Sequence, residues 1–215
     1  LSTEDFSLLC TDHSMSAKIA KKYLYSRGLT DLDIERYKIG TSNHFKFINR
    51  VIFPSFDANL NLNFFQSRTY DDSQKIKYRN CKINKTEVIF NENMIDWTKT
   101  VILVEGVFDA IKAGDNAVCA LGSWMDENHK LFREIVKYKP QVILAFDSDA
   151  QEKTQKLAKN LNSYCVDVLI ANVGNEDVGS MTKKEAKFYI ENAKRFDVTD
   201  GIRYLIKGIK SGSVY

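Results

Sequence analysis

Residues 101–110 read VILVEGVFDA: an uninterrupted apolar tetrad, Val101 to Val104, runs into Glu105 and Gly106 before a helical spacing begins. Four apolar residues without alternation are the pattern of a strand buried on both faces, as in a parallel sheet covered by helices. The chain then repeats the theme. A helix is expected around Phe108 to Ala113, a strand at Ala117 to Leu121, a helix from Asp126 to Tyr138 and a strand at Gln141 to Phe146. A helix from about Gln151 to Leu161 and a strand at Val166 to Ala171 complete it. Strands alternating with helices predict an α/β domain with a central, mainly parallel sheet flanked by helices.

Ligands of open α/β sheets bind beyond the carboxyl ends of the strands. Three of those ends are acidic here. Glu105 follows the first strand, Asp147-Ser148-Asp149 the third, and Gly174-Asn175 leads to Glu176 and Asp177 after the fourth. Carboxylates gathered on one edge raise each other's pKa, a cost that a bound cation removes. An all-oxygen ligand set selects a hard ion, Mg²⁺ or Mn²⁺. Helix capping would explain any one of these acids, Asp149 most simply, but not two aspartates at i and i+2 or a glutamate followed by glycine. Gly106 also allows a close backbone approach to a phosphate or metal.

Upstream of the boundary, near Asp96 to Thr100, the pattern differs. Ser16 to Arg27 has helical spacing and stops at Gly28, and Thr30-Asp31-Leu32-Asp33 opens a second, capped helix that ends before Gly40. From Phe45 to about Phe90 short alternating runs broken by Asp57-Ala58-Asn59 and Asp71-Asp72-Ser73 predict antiparallel strands. The first half is therefore α+β. Between Lys46 and Lys85 stand eight basic residues against Asp57, Asp71 and Asp72, interleaved with aromatics such as Phe45, Phe47 and Tyr78. That mixture suits a surface that holds phosphates and stacks bases, although alternation also turns part of the aromatics toward a core.

Composition excludes several classes. The 215 residues carry 31 Lys+Arg against 28 Asp+Glu, a formal charge of +3, and 44% are hydrophobic, including 13 Phe and 10 Tyr, too many for a disordered chain. No apolar run approaches the roughly 20 residues of a bilayer-spanning helix. The chain opens Leu1-Ser2-Thr3-Glu4-Asp5 without a signal region or an initiating Met, so a cytoplasmic fragment of a longer protein is expected. Cys10, Cys81, Cys119 and Cys165 form no C-x-x-C pair, which argues for free thiols, and Cys10-x-x-His13 lacks a second pair to complete a zinc site.

The Val104-Glu105-Gly106-Val107-Phe108-Asp109-Ala110 motif, with Ala120-Leu121-Gly122-Ser123 and then Phe146-Asp147-Ser148-Asp149, resembles the Toprim domain of bacterial-type primases, topoisomerases and some nucleases. The first half narrows the choice. Tyr23-Leu24-Tyr25-Ser26-Arg27-Gly28-Leu29, Arg50-Val51-Ile52-Phe53-Pro54, Arg68 and Lys77-Tyr78-Arg79-Asn80 resemble the Y-L-x-x-R-G-L, R-I-x-F-P, G-R and K-Y-L-N motifs of DnaG-type primase catalytic cores. Two departures stand out: Gln66-Ser67 precedes Arg68 in place of a glycine-rich approach, and Arg79 stands where leucine is commoner.

The resemblance implies a core making short RNA primers on single-stranded DNA from NTPs, with Glu105, Asp147 and Asp149 catalytic. It implies metal binding by Glu105, Asp147, Asp149 and Asp177, Glu176 being the rival of the last. Nucleotide or template contacts would fall to Arg50, Arg68 and Lys77, supported by Asn80. It further implies a replicative helicase as partner and no membrane. The expected division is an N-terminal basic α+β subdomain over 1–98, a Toprim domain over 99–182 and a helical extension over 183–215. No zinc-binding module of the kind that precedes this core in the family, and no G-x-x-x-x-G-K-[ST] helicase loop, lies in the sequence. The alternative is a Toprim-type metal-dependent nuclease using the same acids. A topoisomerase lacks room for its strand-passage domain, a receiver-like module would need phosphotransfer to an aspartate, and a plain nucleic-acid-binding module would not need the acids.

Overall fold

A computed structural model describes residues 5–122, 125–174, 177–197 and 199. Local chemistry fixes the first elements. Helix α1, Met15–Ser26, starts where the Ser14 side chain accepts from the Ala17 N–H, buries Ala17, Ala20 and Leu24, and is followed by Gly28 at φ +79°. Helix α2, Asp31–Arg36, starts with a capping box: the Thr30 hydroxyl accepts from the Asp33 N–H while the Asp33 carboxylate accepts from the Thr30 N–H.

Five antiparallel strands follow one another in space as in sequence: β1 Phe6–Leu8, β2 Gly40–Ser42, β3 Arg50–Phe56, β4 Leu62–Thr69 and β5 Tyr78–Asn80. The β3–β4 turn is closed by Asp57, whose carboxylate accepts from the Asn59 and Asn61 N–H groups. Strand β5 is an edge strand.

The second sheet forms as the apolar tetrad predicts. Strands β6 Val101–Val104, β7 Ala117–Cys119, β8 Val142–Leu144 and β9 Val168–Ile170 are parallel, and β10 Lys194–Arg195 adds antiparallel to β9. Between them run α3 Val107–Ala113, α4 Lys130–Tyr138, α5 Gln151–Ser163 and α6 Lys183–Glu191. Neighbouring residues of β6 serve opposite faces. Leu103 packs with Val118, Ile135, Leu144 and Leu157 on one side. Val104 packs on the other with Phe108 and Ile111 and with Val51, Phe53 and Phe64 of the first sheet, so a single core joins the two sheets.

Helix α4 begins at Lys130 rather than Asp126 because residues 126–129 form a turn of their own: the Asp126 carboxylate accepts from the Asn128 N–H and pairs with His129. Of the expected extension over 183–215, the described part is α6 and β10; residues 198 and 200–215 lie outside the described residues. The four cysteines are free, as expected. No helix of the described residues is long and apolar enough to cross a membrane.

Candidate active site

Spatial order in the second sheet is β10-β9-β8-β6-β7. The chain leaves β6 toward β7 on one side and returns past it to β8 on the other, so the order reverses between β6 and β8, where open α/β sheets hold their ligands. Glu105 follows β6 and Asp147 follows β8. Both line one cavity of about 390 Å³, with Asp109 of α3 and Asp177. Gln66 of β4 and Tyr78 and Asn80 of β5 form the wall contributed by the first sheet, and Arg27 and Lys85 bring positive charge to it.

Each acid is set by its backbone. Gly106 is the N-cap of α3, and the Asp109 carboxylate reaches back to accept from the Gly106 N–H at 2.7 Å. Burial raises the Asp109 pKa above its ordinary value, with nearby Asp177 pushing the same way and the Gly106 and Gly179 N–H groups opposing. Asp147 opens a 3₁₀ turn, Ser148–Ala150, without capping it by its side chain. Asp177 is exposed, and its carbonyl accepts from the backbone N–H and hydroxyl of Ser180.

Two cations, one of them buried, hold the loop that carries Asp177. Lys112, 5% exposed, donates to the carbonyls of Gly179 and Met181, both at 2.7 Å. Its pKa is lowered by burial and by the Arg27 charge. Arg27 donates to the Gly179 carbonyl and lies 4.7 Å over the Phe108 ring. Gly179 itself admits no side chain, since a Cβ there would sit 2.3 Å from the Asp109 Oδ1. On the opposite wall Lys85 donates to the Leu121 carbonyl at 3.1 Å.

Of the residues singled out in the sequence, the structure brings Glu105, Asp147, Asp177 and Asn80 to this cavity. Asn80 has a buried Oδ1 without a hydrogen-bond donor. Arg68 is on the same sheet face but does not line the cavity; its guanidinium lies 4.4 Å over the Tyr78 ring. The backbone of Asp149 lies in the turn after Asp147; its side chain, like Glu176, is outside the described residues. Lys77 is exposed and does not line the cavity.

Arg50 is not brought to the cavity either. It is 1% exposed, and its guanidinium donates to the carbonyls of Ile76 and Lys77 and to the Gln74 Oε1. It holds the β4–β5 connection together. Arg27, Lys85, Gln66, Tyr78 and Asp109 line the cavity without having been assigned a site role. Arg27, Tyr78 and Asp109 had a signal, standing inside the quoted motifs, whereas Lys85 was marked only as the end of the basic stretch and Gln66 only as a departure before Arg68.

The donor chemistry at the switch point is all oxygen, which fits a hard dication. Among the described residues, no three Asp, Glu, His or Cys side chains are grouped closely enough to hold a metal ion as they stand. The described acids line the cavity instead of closing on one point within it.

Comparison with known proteins gives the site its setting. A solved structure of the zinc-binding and RNA polymerase domains of Aquifex aeolicus primase matches with a TM-score of 0.71 at 18% identity, over 86% of this chain and 57% of that one. A DnaG primase catalytic domain bound to ssDNA matches with a TM-score of 0.70 at 18% identity, over 85% of this chain and 74% of that one. The chain has the fold of the DnaG primase catalytic core. In sequence the chain is similar to the DNA primase of Campylobacter jejuni, 27% identical over 241 residues, which cover 90% of this chain and 38% of that protein. No family model matches. The chain thus spans little more than a third of the length of that relative.

Proposed function

We propose that the chain is the catalytic core of a DNA primase, a DNA-directed RNA polymerase that joins NTPs into short primers on single-stranded DNA. The observation that carries this is one cavity with two chemistries on its walls. Carboxylates line the switch point of a parallel sheet, and an aromatic and an amide from a second sheet line the opposite side. The second wall suits a site that must seat a base and a template beside the acids. Relatives named as DNA primases and the fold of a primase catalytic core support the reading.

In this reading Glu105, Asp147, Asp149 and Asp177 hold Mg²⁺ or Mn²⁺, which when bound neutralises phosphate charge and stabilises the attacking and leaving oxygens. Residues of the chain do the rest. Glu105 is suited to accept the proton of the attacking 3′-hydroxyl. Arg27 and Lys85 supply positive charge for the triphosphate, the guanidinium able to grip two oxygens. Tyr78, backed by the Arg68 guanidinium, is the surface on which a base stacks, and Asn80 Oδ1 is an acceptor for an N–H of that base or of its partner. The Lys112 and Arg27 bonds to the Gly179 carbonyl fix the Asp177 loop for this task.

The division into a basic N-terminal subdomain over 1–98, a Toprim domain over 99–182 and an extension over 183–215 belongs to the same reading. So do a cytoplasmic location and a replicative helicase as partner. The test is RNA synthesis on single-stranded DNA from α-labelled NTPs with Mg²⁺ or Mn²⁺. Wild type is expected to yield short labelled oligomers. Asp147→Asn with Asp149→Asn is expected to lose at least about 10²-fold in rate, the scale of removing charge stabilisation from a transition state. A double variant as active as wild type would refute the assignment.

A further inference from the structure

The wall opposite the acids carries a pair of amides set closer together than the cavity's shape requires. On β4 and β5 the Thr69 N–H donates to the Lys77 carbonyl and the Cys81 N–H to the Phe65 carbonyl. Between those bonded positions fall the pairs Gln66↔Asn80 and Arg68↔Tyr78. They are therefore non-hydrogen-bonded pairs, whose Cα atoms stand about 4.5 Å apart with the side chains close. Gln66 and Asn80 thus present two carboxamides side by side at the cavity, about 7 Å along the strand from Tyr78.

Both amides are largely withdrawn from water. Gln66 is 9% exposed and is paired across β3 with Phe53, a fully buried residue. A carboxamide so placed calls for a hydrogen-bond partner. The Asn80 Oδ1 is buried with no donor. Gln66 is also one of the departures from the family pattern before Arg68, so the second amide is a feature of this chain.

Two neighbouring amides, one offering an oxygen and the other an N–H, match an edge that shows a donor beside an acceptor. In a base paired with a template, the edge left free is the one that faces the major groove. Adenine shows there its N6 amino donor beside the N7 acceptor; guanine shows two acceptors, cytosine a donor alone and uracil an acceptor alone. Adenine alone gives the Asn80 Oδ1 its donor and the Gln66 amide an acceptor at once. We propose that the Gln66–Asn80 pair selects adenine in the nucleotide stacked on Tyr78, the N6–H donating to Asn80 Oδ1 and the Gln66 Nε2–H donating to N7. A seat that admits one base cannot serve every addition to a mixed sequence. It is therefore the seat of the first nucleotide, and the oligomers begin with A. The inference rests on the primase reading for the nucleotide and its pairing, and adds the base that is read.

The test runs RNA synthesis on a single-stranded template with equal numbers of the four bases, with one γ-labelled NTP at a time, and counts the 5′ label in the oligomers. Wild type is expected to begin with ATP about tenfold more often than with any other NTP, the scale of one bidentate base contact. Labelled 7-deaza-ATP keeps N6 and the pairing edge but lacks the N7 acceptor, and should lose that advantage. Gln66→Met, of similar length but without a donor, is expected to start equally well with ATP and 7-deaza-ATP, thermal melts checking that it folds. A purely structural role of Gln66 would lower all starts together and leave the ratio of ATP to 7-deaza-ATP at its wild-type value. That result would overturn the assignment, as would wild-type oligomers that begin with the four bases alike or with ATP and 7-deaza-ATP alike. Each of these leaves the primase reading standing, and the 7-deaza comparison in wild type needs no variant. A wild type that puts no γ-label into any oligomer would overturn both.

Discussion

Arg50 and Arg68 look alike in the sequence, each an arginine in a motif beside aromatics, and the fold gives them different work. The pairing Val51↔Arg68 puts Arg50 and Arg68 on opposite faces of the first sheet. That register is set by the turn chemistry of the β3–β4 hairpin and its bulge at Ser55/Phe56, which no spacing in the sequence specifies. Arg50→Met is therefore expected to act on stability: three acceptors lose their donor. The cost should be about 3 kcal/mol, the scale of breaking a buried charged hydrogen-bond group. Urea unfolding measures it, and Arg50→Lys should rescue only part, since an ammonium cannot span the same fork. At Gly179 an added methyl would meet the Asp109 carboxylate at 2.3 Å. Gly179→Ala is expected to cost about 1–3 kcal/mol by overpacking, read in thermal melts, and to lower RNA synthesis by shifting the Asp177 loop.

Elements with local punctuation were legible. Thr30 with Asp33, Ser14 before α1 and the apolar tetrad of β6 each name their element, because the signal lies within a few residues of its effect. That Glu105 and Asp147 come to one cavity was legible for the same reason: each directly follows a buried strand. The wall opposite them was not, because Gln66, Tyr78 and Lys85 reach the acids only through the packing of one sheet against the other. A long-range tie illustrates this: Lys183 of α6 pairs with Asp33 of α2. Burial pushes the Asp33 pKa up, but the bonds from Lys183 and Thr30 outweigh it and leave it below the ordinary 3.8. A folded pKa below the unfolded one gives stability that is present above about pH 4 and lost as pH falls through the folded value. Thermal melts of Lys183→Ala should therefore fall below wild type at pH 7 by less than about 1 kcal/mol, the lysine being partly exposed, and converge with it below the folded pKa.

Across the whole molecule, one core made by Val51, Phe53 and Phe64 with Val104 and Phe108 brings two sheets of different architecture to a common cavity. Neither sheet supplies both chemistries: the parallel one carries the acids, the antiparallel one the aromatic and the amide. A template bound by that combination should be released by salt. Raising it from about 50 to 200 mM is expected to weaken single-strand binding by at least about tenfold if several phosphates are engaged. Binding that ignores salt would contradict the basic surface. The central claim is that the acids serve the joining of nucleotides on a DNA strand. The most direct measurement follows the γ-phosphates of all four labelled NTPs during incubation with single-stranded DNA and Mg²⁺ or Mn²⁺. De novo synthesis should put the γ-label at the 5′ end of short, alkali-sensitive oligomers. DNA shortened by hydrolysis, with no γ-label in any oligomer, would contradict the account and assign the same carboxylates to phosphodiester cleavage.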